Sequence, residues 1–256
     1  MLETRNVTVR FGGLTAVKDM SMKVAPGTIH SLIGPNGAGK TTLFNVISRI
    51  IEPTSGEVLF DGASLNGIPS EKVVYRGISR TFQNLQLFRN TTVYENILSG
   101  LIHEYRSREI PFLPGAGRRF TEGTRDRVLE VAEMMGIKDR LNSMPQSLPY
   151  GILKRVELAR ALVSAPRLLL LDEPAAGLNN DETREMDQVF RKVKAAGVTM
   201  LLVEHDMNMV MEVSDMITVM NFGEKVAEGP PAMIASDPKV IAVYLGKSDM
   251  GVRKRA

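Results

Sequence analysis

The stretch "TIHSLIGPNGAGKTTLFNVISRI", residues 28–50, passes from an apolar strand-like segment through a glycine-rich turn into a segment of helical period. "TIHSLIG" (28–34) ends in glycine, Gly34–Thr42 carries the full G-x-x-x-x-G-K-T pattern, and Lys40–Ile50 reads as a helix. Strand, loop and helix in that order are the setting this pattern needs to hold phosphates. Gly34, Asn36, Gly37, Ala38 and Gly39 let the backbone curl so that successive N–H groups point inward, and the helix adds the positive end of its dipole. Lys40 brings a point charge to β and γ phosphates, the Thr41 hydroxyl suits Mg²⁺, and Thr42 is placed as the neighbour of an α phosphate. A glycine-rich turn without chemistry would not require lysine and threonine at these positions.

Outward from this loop the texture is β/α. "VTVRF" (7–11) and "VKDMSMKV" (17–24) alternate as half-buried strands separated by Gly12 and Gly13, and "GEVLFDG" (56–62) returns as a strand bounded by glycines. From Asn84 to Ser164 the apolar spacing turns helical, with "PFLPGAG" (111–117) predicted as an exposed connection. Strands return as "RLLLLDE" (167–173), "VTMLLVEH" (198–205) and "DMITVM" (215–220), and "DPKVIAVYLG" (237–246) ends the pattern as a short helix. A run such as Leu168–Leu171 belongs in a parallel sheet covered on both faces. The expected fold class is therefore α/β, one core from two separated portions with a helical block inserted between them.

The strand "LLLLDEP" supplies the second half of a nucleotide site by delivering Asp172 and Glu173 to its carboxyl end, where open α/β sheets bind ligands. Asp172 would hold Mg²⁺ through water, and Glu173 would position or deprotonate an attacking water. His205 in "VEHD" reads equally as an ordinary surface histidine, Gln83 in "RTFQN" as a magnesium-water ligand or a strand end, and Phe11 as a packed strand-end aromatic.

Composition narrows the alternatives. With 256 residues, 43% hydrophobic and 24% charged, the chain is of globular type, and no apolar run approaches the ~20 residues that cross a bilayer. "MLETRNVTVR" (1–10) has no secretory pattern, so a cytoplasmic location is expected. The absence of cysteine excludes disulfides, thiolate metal sites and cysteine nucleophiles. A net charge of +3 without interleaved aromatics predicts no nucleic-acid partner.

Taken together the sequence resembles the ATP-binding subunits of ABC transporters over nearly its whole length. In that resemblance "GPNGAGKTT" is the Walker A loop and "LLLLDE" is Walker B with Glu173 as catalytic glutamate. Gln83 is the Q-loop glutamine, "AGLN" (176–179) the D-loop, His205 the switch histidine, and Phe11 the aromatic that stacks on adenine. The resemblance implies ATP and Mg²⁺, with Thr41, Gln83 and Asp172 toward the metal. It also implies a P-loop ATPase core with a mostly parallel central sheet, an N-terminal antiparallel β portion and an inserted α-helical subdomain. The corresponding bounds are core 1–84 and 165–236, helical subdomain 85–164, and C-terminal helix and tail 237–256.

"LPYGILKRV" (148–156) aligns with the family signature LSGGQ and the residues after it. Leu148 and Gly151 are retained, whereas Pro149, Tyr150 and Ile152 replace serine, glycine and glutamine. The family uses this segment to cap ATP on the opposite subunit of a head-to-tail dimer. Here Leu148, Tyr150 and Gly151 remain to act in trans, Pro149 offers neither hydroxyl nor N–H, and Ser147 is an expected helix cap. Asn179 stands where many relatives have an aspartate.

"RFGGLTAVKDMS", "SRTFQNLQLF", "LDEPAAGLN", "VEHDM" and "IAVYLG" are similar to the ATPase subunits of branched-chain amino acid importers. This implies two permease subunits, a second ATPase subunit or a copy of itself, an extracytoplasmic solute-binding protein, and a peripheral place on the cytoplasmic face of the inner membrane. The contrast between complete Walker A and B motifs and this altered signature leads to the expectation that a partner with a fuller signature completes the site on this chain's Walker A, while the site capped by this chain is weaker. The alternative is a soluble ABC-type ATPase with a regulatory or nucleic-acid-associated role.

Overall fold

Leu168, Leu170, Leu201 and Val203 point into one apolar cluster while Leu169, Leu171, Met200 and Leu202 point into another. Side chains alternate across a strand, so unbroken apolar runs form only where both faces are covered. The computed structural model describes residues 1–81, 85–107 and 116–245, and it places these runs in the middle of a six-stranded sheet.

The strands in chain order are β1 (Leu2–Phe11), β2 (Leu14–Val24), β3 (Ile29–Ile33), β4 (Ser55–Phe60), β5 (Ala63–Ser64), β6 (Ile78–Arg80), β7 (Leu168–Asp172), β8 (Thr199–Val203), β9 (Met216–Asn221) and β10 (Glu224–Gly229). The central sheet has the order β10-β9-β3-β8-β7-β6, parallel except for the β9–β10 hairpin. A four-stranded antiparallel sheet, β2-β1-β4-β5, stands beside it. The mostly parallel core and the N-terminal antiparallel portion are both as the sequence predicts.

The helices are α1 (Lys40–Ile47), α2 (Val93–Leu98), α3 (Ile102–Ser107), α4 (Ala116–Met134), α5 (Tyr150–Leu162), α6 (Asn180–Ala195), α7 (Met207–Val213), α8 (Pro231–Ser236) and α9 (Pro238–Leu245). α1 packs Leu43, Phe44, Val46 and Ile47 between the two sheets. α2, α4 and α5, all between β6 and β7 in the chain, bury Val93, Ile97, Val128, Ala132, Val156 and Ala159 on the other face with α6.

Several local expectations are corrected. α1 stops at Ile47 rather than Ile50, because Arg49 turns to φ 62° and breaks the helical path. β6, β10 and α8 are too short for periodicity to announce. Ser147 is not the cap of α5. Its hydroxyl donates to the Met144 carbonyl at 2.8 Å within its own 3-10 turn, and Pro149 occupies the N-cap position with no side-chain cap bond. Most of "PFLPGAG" lies outside the described residues.

A cleft between α6 and α7 holds Asp187 among Asp206, Glu212 and Arg191. Burial first, then repulsion from Glu212, pushes Asp187 from its ordinary 3.8 up to about 6, against the pull of Arg191. Between those values the folded chain holds a proton that the unfolded chain has lost. Asp187 therefore contributes stability at the acid end, and that contribution disappears as pH rises through about 6. Asp187→Asn should show a higher thermal midpoint than the unmodified chain at pH 7, with the difference closing at pH 4.5. Equal midpoints at pH 7 would contradict this account.

Candidate functional site

The site is assembled by strand order. β3, β8 and β7 are neighbours, with Leu32 opposite Val203 and Val203 opposite Asp172. Their carboxyl ends therefore finish at one level, and the loops that follow bring Gly34–Thr42, Glu204–His205 and Asp172–Glu173 side by side.

The glycine loop is held from below. A Cβ on Gly34 would lie 2.1 Å from the Met220 carbonyl oxygen, and one on Gly39 would lie 2.4 Å from that of Ala16. Only glycine permits these approaches, and Gly39 also takes φ 99° as the residue that leads into α1. Ala38 is buried and its carbonyl accepts from Gly223 N–H at 2.9 Å, which ties the loop to the β9–β10 turn. Asn36 and Gly37 are exposed at the tip, and Thr41 and Thr42 open the first turn of α1 with no acidic residue there. The Lys40 ammonium turns back into the curl, donating to the carbonyls of Gly34 at 2.6 Å and Pro35 at 3.1 Å.

Asp172 ends β7 nearly enclosed, and its carboxylate accepts from the Arg80 guanidinium at 2.9 Å. Burial holds Asp172 above the usual carboxylate range. The Arg80 pair opposes that shift, Glu173 adds to it and Lys40 opposes it. Glu173 has left the strand with φ 49° while its N–H still donates to Val203 at 2.9 Å. This left-handed turn separates the two carboxylates, sending Glu173 toward His205, whose Nδ1 lies 3.6 Å from Glu173 Oε1. The partner that the sequence could not supply for His205 is thus Glu173 itself. Phe11 stands half exposed at the end of β1, so it is not the packed aromatic of the simpler reading. Gln83 lies outside the described residues.

The segment 148–151 adjoins the start of α6. Tyr150 lies over Gly177, where a Cβ would meet the ring at 3.0 Å, and Lys154 stands 5.7 Å from the ring centroid. Gly151 admits the Glu182 carboxylate, which would lie 2.7 Å from an added Cβ. Asn179 accepts from the N–H groups of Asp181 and Glu182, both at 3.0 Å, and Glu182 returns a bond to Asn179 N–H. Asparagine caps a helix as well as aspartate does, so this departure keeps the local fold.

Two contributors escaped the sequence reading. Arg80 also donates to Asn45 at 2.8 Å and Ser48 at 2.7 Å, joining α1 to β7. Buried Glu204 accepts from the N–H groups of Ala175 at 2.8 Å and His205 at 3.1 Å, linking the loops after β7 and β8. Burial raises the Glu204 value against those backbone bonds. The signal available for each was adjacency: Arg80 ends a strand and Glu204 precedes His205.

A phosphate-binding loop beside two carboxylates and a histidine can hold a nucleotide and direct water at its terminal phosphate. Comparison with known proteins agrees, since the family profile "ABC transporter" matches residues 17–176. The chain belongs to the ABC transporter ATP-binding cassette family. A second profile, "Branched-chain amino acid ATP-binding cassette transporter", matches residues 224–249. The chain is 40% identical over 254 residues to the high-affinity branched-chain amino acid transport ATP-binding protein BraF of Pseudomonas aeruginosa, covering 97% of this chain and 98% of that one. It is 39% identical to the corresponding protein LivG of Escherichia coli K12, with the same coverage. Among solved structures it is similar to an ABC transporter cassette crystallised in an ADP conformation, with TM-score 0.84, 30% identity and 96% of this chain and 98% of that one covered. It is also similar to a dimeric cassette holding ADP and phosphate, with TM-score 0.74, 30% identity and coverage of 90% and 99%. This ABC cassette is an ATPase, and the P-loop α/β fold expected from its sequence is the fold it has.

Proposed function

We propose that ATP hydrolysis by this chain powers an importer of branched-chain amino acids or related small solutes. The observation that supports this best is the match of residues 224–249 to the branched-chain profile, in a chain 40% identical to a branched-chain transport subunit along almost its entire length.

In this reading Gly34, Asn36, Gly37, Ala38 and Gly39 cradle the phosphates with backbone N–H groups, and Lys40 exchanges its loop carbonyls for phosphate oxygens. Phe11 offers its exposed ring to adenine. Glu173 orients and deprotonates the attacking water, while His205, beside it, holds the terminal phosphate. The donors near the loop, the Thr41 hydroxyl and the Asp172 carboxylate, are oxygen only, as a hard cation prefers. A desolvated carboxylate already held above its usual range gains from a nearby dication, so these residues fit Mg²⁺. Thr41, Asp172 and Gln83 would hold Mg²⁺, which would neutralise phosphate charge. Two such cassettes close head to tail, and Leu148, Tyr150 and Gly151 face the partner's nucleotide. α5 begins with no side-chain cap, leaving the N–H groups of Tyr150 and Gly151 as its donors there. A second ATPase with a fuller signature would complete the site on this chain.

The permeases would hold the assembly on the cytoplasmic face of the inner membrane, since no helix among the described residues is long and apolar enough to cross it. Tagged chain recovered from gently solubilised native membranes should bring two membrane subunits and a second ATPase, identifiable by mass spectrometry, with an extracytoplasmic binding protein in transport assays. Recovery as a self-assembly alone, with permease present in the extract, would favour the regulatory ATPase.

A further inference from the structure

The turn between β9 and β10 stands beside the phosphate loop and carries an aromatic ring of which the fold buries little. β9 runs parallel to β3 with Val219 opposite Ile33, so the turn Asn221–Glu224 comes off the sheet at the same end as Gly34–Thr42. Gly223 fixes it there. Its N–H donates to the Ala38 carbonyl at 2.9 Å, its carbonyl accepts from Lys18 N–H at 2.9 Å, and a Cβ on it would lie 2.9 Å from the Ala16 carbonyl oxygen. The Lys18 ammonium also meets Glu224 at 2.6 Å, so the turn is tied to the phosphate loop on one side and to β2 on the other. Phe222 sits at its tip with φ 47°, a conformation that strains a bulky side chain and that asparagine or glycine takes more readily. Its ring is 81% exposed, so packing does not offset that strain. Ala16, against which Gly223 packs, lies only two residues, about 7 Å of strand, from Leu14. Leu14 pairs with Phe11 at the end of β1, and both are exposed.

We propose that Phe222 is a nucleotide-binding residue: its ring gives the purine base of bound ATP or ADP a second aromatic surface beside Phe11. The inference rests on the reading of Gly34–Thr42 as the phosphate site and of Phe11 as the ring offered to adenine. A nucleotide whose phosphates lie in the loop must extend its base out of it, and both exposed rings border the ground between the loop and the β1–β2 hairpin. Stacking on a ring face suits any planar base, so Phe222 adds affinity for the nucleoside end and none for the phosphates. An aromatic held in an unfavourable conformation by an anchored turn is of the kind kept at ligand clamps.

Phe222→Asn in the full chain removes the ring and places at this turn a residue that tolerates the left-handed conformation. Calorimetric titration with ADP and Mg²⁺ should show binding weakened about fivefold to fiftyfold, the loss expected for one stacking ring. Inorganic diphosphate, which has no base, should bind the variant and the unmodified chain with affinities within about twofold of each other. The thermal midpoint should hold or rise, since the turn is relieved of strain. Phe222→Tyr keeps the stacking face and should bind ADP within about twofold of the unmodified chain. Unaltered ADP affinity in Phe222→Asn would overturn the role of Phe222. So would an equal loss for ADP and inorganic diphosphate, which would mean that the turn acts only through the loop it is tied to. Failure of the underlying reading has a different signature, in which Lys40→Ala binds ADP as tightly as the unmodified chain.

Discussion

Glu173→Gln should bind ATP with affinity within about twofold of the unmodified chain and hydrolyse it at least ~100-fold more slowly, the lower end of what a general base supplies. The substitution preserves size and removes the charge. At about 1.36 kcal/mol per tenfold in rate, the loss corresponds to roughly 3 kcal/mol or more of transition-state stabilisation. Glu173 takes a left-handed backbone conformation just outside β7, so its side chain leaves Asp172 and meets His205 at 3.6 Å. Strain of this kind at the mouth of a phosphate site is held by the surrounding fold, here through the Glu173 N–H bond to Val203. Glutamine loses the base without disturbing that bond. It also removes a negative charge that weighs on Asp172, so thermal stability should hold or rise slightly. Single-turnover hydrolysis with labelled ATP, beside a thermal melt, separates the outcomes. Normal turnover would remove Glu173 from catalysis, and a fallen thermal midpoint would make the defect structural.

Arg80→Ala should lower stability by about 3–5 kcal/mol, the penalty for leaving one partner of an enclosed ion pair without the other. In a chain of this length that moves the thermal midpoint by on the order of 10 °C. Arg80 and Asp172 retain only 10% and 7% exposure of their side chains, and the same guanidinium holds Asn45 and Ser48 of the α1 region and lies over the Phe44 ring. With the guanidinium gone, burial and the Glu173 charge act on Asp172 with only Lys40 opposing them, and its proton affinity rises further. The defect should therefore shrink as pH falls through the raised Asp172 value toward the ordinary carboxylate value, because a neutral Asp172 needs no partner. Arg80→Lys should fall between, keeping charge but losing the planar fork. Melting curves of the three chains at pH 4.5 and 7 test this. An alanine variant as stable as the parent at pH 7 would mean that water replaces the guanidinium.

The sheet and the loop could be read from the chain because each is a local pattern. The runs at Leu168–Leu171 and Thr199–Val203 are apolar on both faces, which only an interior parallel strand explains, and Gly34–Thr42 specifies a backbone shape by its glycines. β6, β10 and α8 stayed unread because three to six residues carry too little period. Asn179 departs from the aspartate of many relatives, yet its amide oxygen caps the helix just as well. Ser147 stands at a capping position by sequence, whereas its hydroxyl closes its own short turn.

By itself the sequence determined which residue types were present and where each loop began: a phosphate loop after β3, two carboxylates after β7, a histidine after β8. Each of those is encoded by neighbours a few positions apart. The tertiary structure decided the pairings, because Glu173 with His205, Arg80 with Asp172 and Glu204 with Ala175 join residues 29 to 92 positions apart. Such contacts depend on strand order in the sheet and on the burial that forces polar groups to find partners, and neither is written in any local stretch of chain.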